Sequence, residues 1–407
     1  MKIGVYLEQY QAGGVDAHLL SLIEKWPDKN DRFVLFTNLD NPGIELHQRS
    51  YKKLNIDVVS FSSVSYMSMV TWLMSLPLGK FLRYFAYPFL PFYFLRQYFQ
   101  AKSLFQRNKV DFILADNGAY PGAWGALASI LAANKLKIKN LLLVHHNATP
   151  YQVLRKAFER FVDRSLAKAT VIVTVSEATK KTILANRLAL TPNAKFEVIL
   201  NGTDIDKEIH RCDELERFRQ KFQDKKILGI VGRIEPYKGH EELIRGIALL
   251  HSDQAKQLVI AFIGIGAESE KKRLELIAQE LNVVDKVHFL GFVPGDSKSI
   301  ISYLDLLLVL TRDFEGFGLT LIEAMAGNVP TIATRVGAIP EFINHLENGY
   351  LISPERADEV GKALEDFLSN PDIWKQRAEN ARNKLNVFSD SKMSQTYCKL
   401  IKKISES

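Results

Sequence analysis

Glu315 and Glu323 bracket the run Glu315-Gly316-Phe317-Gly318-Leu319-Thr320-Leu321-Ile322-Glu323, with seven residues between the two carboxylates. The Gly-aromatic-Gly turn follows an apolar run, Leu304 to Leu310, that reads as a strand, and it opens a segment that reads as a helix. A turn that presents backbone N–H groups at a helix N-terminus is suited to phosphate. Carboxylates in that setting suit sugar hydroxyls better than a metal or a nucleic acid. A helix rises about 1.5 Å per residue, so Glu323, about four residues in, stands roughly 6 Å behind a phosphate held by the amides of Phe317, Gly318 and Leu319. That is a place for vicinal hydroxyls such as those of a ribose. An ordinary surface glutamate is the plainer alternative, but Leu321, Ile322, Ala324 and Met325 around it predict a half-buried carboxylate that needs partners. Glu315, on the loop, is better placed to meet a sugar in front of the phosphate.

The stretch Gly232-Arg233-Ile234-Glu235-Pro236-Tyr237-Lys238-Gly239 follows the apolar run Ile227 to Val231 and precedes a helix from about His240. Arg233, a planar fork, and Lys238, a point charge, can straddle a diphosphate from such a loop. Alone the loop means little, since basic loop residues are usually just solvated. Ligands of open α/β sheets bind beyond the carboxyl ends of strands, where both this loop and the Glu315 turn would lie.

Short apolar runs alternate with helical-period segments along the chain, the pattern of parallel sheets covered by helices. Strands are expected near Lys2 to Leu7, Arg32 to Thr37, Ile56 to Ser60, Val110 to Ala115, Asn140 to Val144, Val171 to Val175 and Phe196 to Leu200. A second set is expected near Lys226 to Val231, Gln257 to Ile263, Val287 to Leu290, Leu304 to Leu310, Thr331 to Ala333 and Tyr350 to Ile352. Each set suffices for one doubly wound sheet, and 407 residues suit two domains. The expected domains are 1–205 and 206–384, with a C-terminal helix, about 385–407, packing back on the first.

The composition, 47% hydrophobic and 24% charged, is that of a globular protein. A net charge of +7 favours an acidic partner, whether nucleotide phosphate, anionic lipid or nucleic acid. Nucleic acid is disfavoured, because no stacking or helix-turn-helix motif accompanies the charge. Two distant cysteines, Cys212 and Cys398, and nine histidines without a His-Glu-x-x-His pattern give no metal-ligand spacing. Met1 to Leu7 reads directly as a strand, which leaves no secretory signal and predicts a cytoplasmic protein.

From Val58 to Val110 there is no Asp or Glu, while Lys80, Arg83, Arg96, Lys102, Arg107 and Lys109 are present and fourteen of the chain's forty-two aromatics are concentrated there. Pro77, Pro88 and Pro91 interrupt the segment, so a membrane-spanning helix is not expected. Basic residues beside Trp72, Phe81, Phe85, Phe89 and Phe92 suit a helix lying on an anionic membrane surface. They suit equally a hydrophobic hairpin packed within its own domain, or an oligomer contact.

Taken together, Val231-Gly232-Arg233 with Lys238-Gly239, His288-Phe289-Leu290-Gly291-Phe292-Val293, the two spaced glutamates, and Gly337-Ala338-Ile339-Pro340-Glu341 resemble the retaining GT-B glycosyltransferases of family 4. Val173-Thr174-Val175-Ser176-Glu177 and Val198-Ile199-Leu200-Asn201-Gly202-Thr203-Asp204 carry the resemblance into the first domain. It is clear from about 155 to 355 and thin before that. It implies two Rossmann-like domains facing across a cleft, and transfer of a sugar, with retention and without a metal or other cofactor, from a nucleotide-diphosphate sugar to an acceptor hydroxyl. It implies that Arg233 and Lys238 bind the diphosphate, Glu323 the ribose, Glu315 the donor sugar, and main-chain atoms near Val293 the base. Ala338 departs from the second glycine that the family most often has.

Gly13-Gly14, between the first strand and a helix, would let a backbone approach a phosphate or sugar closely. A plain strand-helix loop is the alternative, and similar enzymes carry the pair. At the end of the strand Asn140 to Val144 stand His145-His146-Asn147, where the family usually has a catalytic histidine that contacts the donor sugar and supports the reaction. His146, followed by a small polar residue, is the candidate and His145 the fallback. Gly264-Ile265-Gly266-Ala267 lacks the third glycine and the downstream acid of a dinucleotide fingerprint, so a nicotinamide enzyme is not expected.

The expected role is in cell-surface polysaccharide, lipopolysaccharide or glycolipid synthesis, on a saccharide or lipid-linked acceptor at the inner face of the cell membrane. A phosphorylase or nucleotide-sugar epimerase on the same fold, or a non-catalytic nucleotide-sugar-binding protein, are the alternatives. The residues single out neither the sugar, the base nor the acceptor.

Overall fold

The computed structural model of the protein describes residues 1–10, 14–62, 66–78, 81, 83–168, 170–206 and 208–406. Gly13 and Lys80 lie outside these. The chain forms two compact units, residues 1–202 with 390–407, and residues 203–389.

The first unit holds a seven-stranded sheet in the order β3-β2-β1-β4-β5-β6-β7. Its strands are β1 (Lys2–Leu7), β2 (Arg32–Asn38), β3 (Asp57–Phe61), β4 (Phe112–Asn117), β5 (Lys139–Val144), β6 (Val171–Thr174) and β7 (Lys195–Val198). All pairings are parallel, with Ile3 opposite both Phe33 and Phe112. The central strands are runs of buried residues because helices cover a parallel sheet on both faces.

The second unit holds a six-stranded parallel sheet, β10-β9-β8-β11-β12-β13. Its strands are β8 (Lys226–Val231), β9 (Leu258–Ile263), β10 (Val287–Gly291), β11 (Leu306–Val309), β12 (Thr331–Thr334) and β13 (Tyr350–Ile352). The winding reverses at β1/β4 in one sheet and at β8/β11 in the other. In open α/β sheets ligands bind beyond the carboxyl ends of the strands at such a reversal.

The C-terminal helix Asp390–Glu406 belongs to the first unit. Ser394 Oγ donates to the Leu22 carbonyl at 2.8 Å, and Lys402 pairs with Asp28 at 2.7 Å. The chain passes between units at 202/203 and 389/390, where the sequence suggested 205/206 and 384/385.

The acid-free segment has two faces. Phe61, Tyr66, Leu90, Phe94, Ala101 and Phe105 are buried in the core of the first unit, largely along the helix Leu90–Asn108. Trp72, Leu78, Phe81, Phe89, Phe92 and Phe99 remain exposed. No helix among the described residues is long and apolar enough to cross a membrane.

A buried ionic network ties the end of the helix Glu177–Asn186 and the segments beyond β4 and β5 to the helix Lys156–Ala167. Arg187 has no exposed surface and donates to Glu159 Oε2 at 2.7 Å and to Asp163 Oδ2 at 3.0 Å. Tyr120 and Tyr151 each donate a hydroxyl to Asp163 at 2.7 Å, and Arg155 pairs with Glu159 at 2.7 Å, so two cations face the two carboxylates. Removing one partner of such a network strands the rest. Arg187→Met is therefore expected to destabilise the first unit by about 3–5 kcal/mol in denaturant unfolding of the intact protein. A loss below about 1 kcal/mol would show that the network does not hold this unit together.

His240, at the start of the helix His240–Ala248, packs edge to face on Phe262 with ring centroids 4.7 Å apart. Burial, with Lys238 adding to it, pushes its pKa down to about 4. The folded state thus keeps the ring neutral while an unfolded chain takes up a proton below about 6.5. Stability should fall as pH drops from about 6.5 towards 4, by about 3 kcal/mol in full. Unfolding measured at pH 7 and pH 4.5 should show a smaller difference for His240→Leu than for the natural protein. Equal differences would mean that another group sets this dependence.

Candidate active site

In the second unit the loops that leave β8 and β11 are fastened to each other by backbone. Arg312 N donates to the Tyr237 carbonyl at 2.8 Å. Gly239, at φ 78°, lies so close to Leu310 that a Cβ would sit 2.3 Å from its carbonyl oxygen, so only glycine fits. Across this junction Lys238 Nζ donates to Glu315 Oε2 at 3.1 Å. Thr311 Oγ1 donates to the same oxygen at 3.1 Å.

The loop after β12 braces the other side. Thr334 Oγ1 donates to the Thr311 carbonyl at 2.6 Å, and Ala338 N to the Glu315 carbonyl at 2.8 Å. Gly337, at φ 52°, fits against the Glu315 backbone, where a Cβ would come within 2.1 Å of the oxygen. Ala338 itself has right-handed backbone, φ −81°, so its methyl group is accommodated where a second glycine is usual in similar chains.

Gly318, at φ 85°, turns the chain into the helix Leu319–Ala326, which has no side-chain cap. Its first amides therefore face the same loops with their partial positive charge. Phe317 anchors the turn, buried against Phe342 and Phe388 at 4.9 and 6.1 Å between ring centroids. Glu323, one turn in, is half-buried among buried Leu321, Ile322, Ala324 and Met325.

Arg233 is on the β8 loop but turned along it, donating to Glu235 at 2.8 Å and to the Tyr237 hydroxyl at 3.0 Å. Burial and the Glu235 carboxylate push the Tyr237 phenol up to about 12. Val293 is buried just beyond β10, next to exposed Phe292. Gly264, far from marking a dinucleotide fold, lets two loops meet. A Cβ there would lie 1.9 Å from the Gly232 carbonyl oxygen. Its own N–H reaches the Gly291 carbonyl at 2.7 Å, so the β8, β9 and β10 loops form one tier.

In the first unit Gly14 begins the helix Gly14–Glu24 and is exposed. The two histidines beyond β5 have different surroundings. His145 Nε2 lies 2.8 Å from Asp116 Oδ1 at the end of β4, and its ring packs edge to face on buried His18. Burial pushes the His18 pKa well below its usual range, with His145 adding to it. His146 is half-buried, its Nδ1 2.8 Å from Asn147 Oδ1.

Glu8, not singled out in the sequence, closes the end of β1. It accepts from the hydroxyls of Tyr93 and Tyr10 at 2.5 and 2.9 Å and from Gly125 N at 2.9 Å. Burial holds its carboxyl above the usual range despite these bonds. Thr311 and Thr334 were also missed. A threonine directly after each strand was the only signal. Among the described residues no group of three or more His, Cys, Asp or Glu side chains could hold a metal ion.

Residues 212–384 match the glycosyl transferases group 1 family and residues 12–207 match glycosyltransferase family 4. An uncharacterized glycosyltransferase of Methanocaldococcus jannaschii is 30% identical over 234 residues, which are 56% of this chain and 58% of the relative. The N-acetyl-alpha-D-glucosaminyl L-malate synthase of Bacillus anthracis is 26% identical over 283 residues, 68% of this chain and 70% of the relative. The crystal structure of Anabaena HepE in complex with UDP has the same fold, with a TM-score of 0.76, 19% identity, and coverage of 99% of this chain and 100% of that one. The two matches together span nearly the whole chain, which belongs to the group 1 glycosyltransferases and has the GT-B fold.

Proposed function

We propose that this glycosyltransferase moves a sugar from a nucleotide-diphosphate sugar to an acceptor hydroxyl, retaining the anomeric configuration and using no metal. The observation that carries the reading is the Lys238–Glu315 pair at the reversal of strand order, 3.1 Å across, beside the amide-lined start of the helix Leu319–Ala326. The UDP bound by the Anabaena neighbour supports a nucleotide donor.

On this reading Lys238, Arg233 and the amides of Phe317, Gly318 and Leu319 take the diphosphate. They supply the positive charge that other designs draw from a metal. A diphosphate drawing Lys238 to itself releases Glu315 to accept hydrogen bonds from the sugar hydroxyls. Glu323 serves the ribose and main-chain atoms near Val293 the base. Contacts with the donor are also proposed for His146, Gly13 and Gly14. Same-face attack, assisted by the leaving phosphate, is the proposed step, with positioning supplying much of the remaining acceleration.

The acceptor is proposed to be a saccharide or lipid-linked glycan of the cell envelope, reached from the cytoplasmic face of the membrane. Support comes from the exposed aromatics of 66–105, which share an acid-free segment with Arg96, Arg107 and Lys109. An apolar surface rimmed by cations suits an anionic interface.

Calorimetry against UDP, GDP and ADP sugars, followed by transfer to membrane extracts, should identify one base and product only with acceptor. Lys238→Ala and Glu315→Ala should each lower turnover by on the order of 100-fold or more in a folded protein, the scale seen when one charge-stabilising group is lost. Near-normal turnover in both would move the chemistry elsewhere. The product's anomeric proton coupling decides retention, and unchanged turnover in chelator supports metal independence.

A further inference from the structure

We infer that residues 153–168 are a second membrane-docking element of the first unit, in which a basic pocket receives the phosphate of an anionic lipid headgroup. The inference rests on the membrane reading of the 66–105 surface and adds to it a site on a different part of the chain.

Three large apolar side chains stand out from this stretch, Val153, Leu154 and Phe161, at 87%, 66% and 62% exposure. Nothing in the fold uses them. The helix Lys156–Ala167 turns Glu159, Val162, Asp163 and Leu166 inward. Both acids are thereby consumed by Arg187 and Arg155. What the helix shows outward is a different composition from what its sequence suggests. At 3.6 residues per turn, Arg160, Arg164 and Lys168 follow one another in four-residue steps along one side of Phe161, with Arg164 and Lys168 exposed and Arg160 half-buried.

Those three cations open on a pocket of about 350 Å³, completed by Leu188, Pro192 and Asn193, with no carboxylate in its lining. Arg160 Nε is buried without a hydrogen-bond partner, and its guanidinium sits 5.7 Å from the centre of the Tyr151 ring. A planar cation so held is preset to take a phosphate.

The element adjoins the aromatic surface already described. A second pocket, about 360 Å³, has Tyr84, Tyr87 and Pro88 on one wall and Leu154, Arg155 and Phe158 on the other. The two exposed apolar sets thus form neighbouring parts of one side of the unit. The charge chooses the occupant. Arg96, Arg107 and Lys109 on the first element and Lys156, Arg164 and Lys168 on the second are exposed, and the acids of both stretches are either absent or buried. A second copy of this chain would bring the same positive surface against it. An anionic bilayer complements both the charge and the apolar side chains.

The test is co-sedimentation of the full-length protein with phosphatidylcholine vesicles made with or without phosphatidylglycerol. The natural protein should bind only the anionic vesicles. Arg160→Ser with Arg164→Ser and Lys168→Ser should weaken that binding at least about tenfold, given roughly fivefold per basic residue near a membrane. Leu154→Asp with Phe161→Asp should weaken it comparably. Near-ultraviolet circular dichroism and donor affinity should stay unchanged in both, because none of these residues is assigned a role in donor binding. If both variants bind anionic vesicles like the natural protein while Phe89→Asp with Phe92→Asp does not, this second element is refuted and the 66–105 surface stands. If the natural protein itself stays in the supernatant, the membrane reading fails and this inference with it.

Discussion

Close backbone approach between the loops of β8, β11 and β12 is the constraint on which the second unit's site depends. Gly239 against Leu310 and Gly337 against Glu315 leave no room for a Cβ. Because the main chains touch, side chains that start from different strands finish together. Lys238 and Glu315, 77 residues apart, meet at 3.1 Å, and Thr311 fixes the same carboxylate oxygen from below. A longer side chain at either glycine would separate the cation from the acid without altering either. The chemistry of the site is therefore set by residues that have no chemistry of their own.

This explains what could be read from the chain and what could not. Strands buried on both faces are unbroken apolar runs, so their order along the chain was plain, and strand ends then located Glu315, Lys238 and His146. Glu323's half-burial followed from its four apolar neighbours. Arg233 was legible as a cation on the right loop but not in its orientation. Glu235 and Tyr237, two and four residues on, hold it along the loop, a local competition that spacing does not reveal. Glu8 was invisible for another reason. Its partners Tyr93 and Gly125 come from distant segments, and nothing in the residues around it foretells their convergence.

Charge in the first unit shows the same limit more sharply. The helix Lys156–Ala167 contains acids and bases and looks like a mixed, solvated face. Its acids are in fact inside, matched by Arg187 and Arg155, while Lys156 and Arg164 are exposed. A buried carboxylate needs a cation close by far more than an exposed one does, so Arg187 sorts the helix by charge as it folds. Reading net charge along the chain averages over that sorting. Reading it over the surface does not.

The ionic network and the acid-free segment thus have one electrostatic outcome by two routes. From Val58 to Val110 acids are absent from the sequence, whereas in 153–168 they are present but withdrawn. The second route couples surface to core. Loss of Arg187 would force Glu159 and Asp163 to find water or protons, and the charge presented by the helix would change with the packing beneath it. In the second unit the corresponding coupling runs the other way. There Lys238 is held by an acid at the loop surface rather than in the core, which leaves it open to the competition by a diphosphate that the proposed function requires. The first unit buries the Arg187 network and so fixes the charge that the helix Lys156–Ala167 presents. The other leaves its central pair near the surface, where a ligand can exchange it.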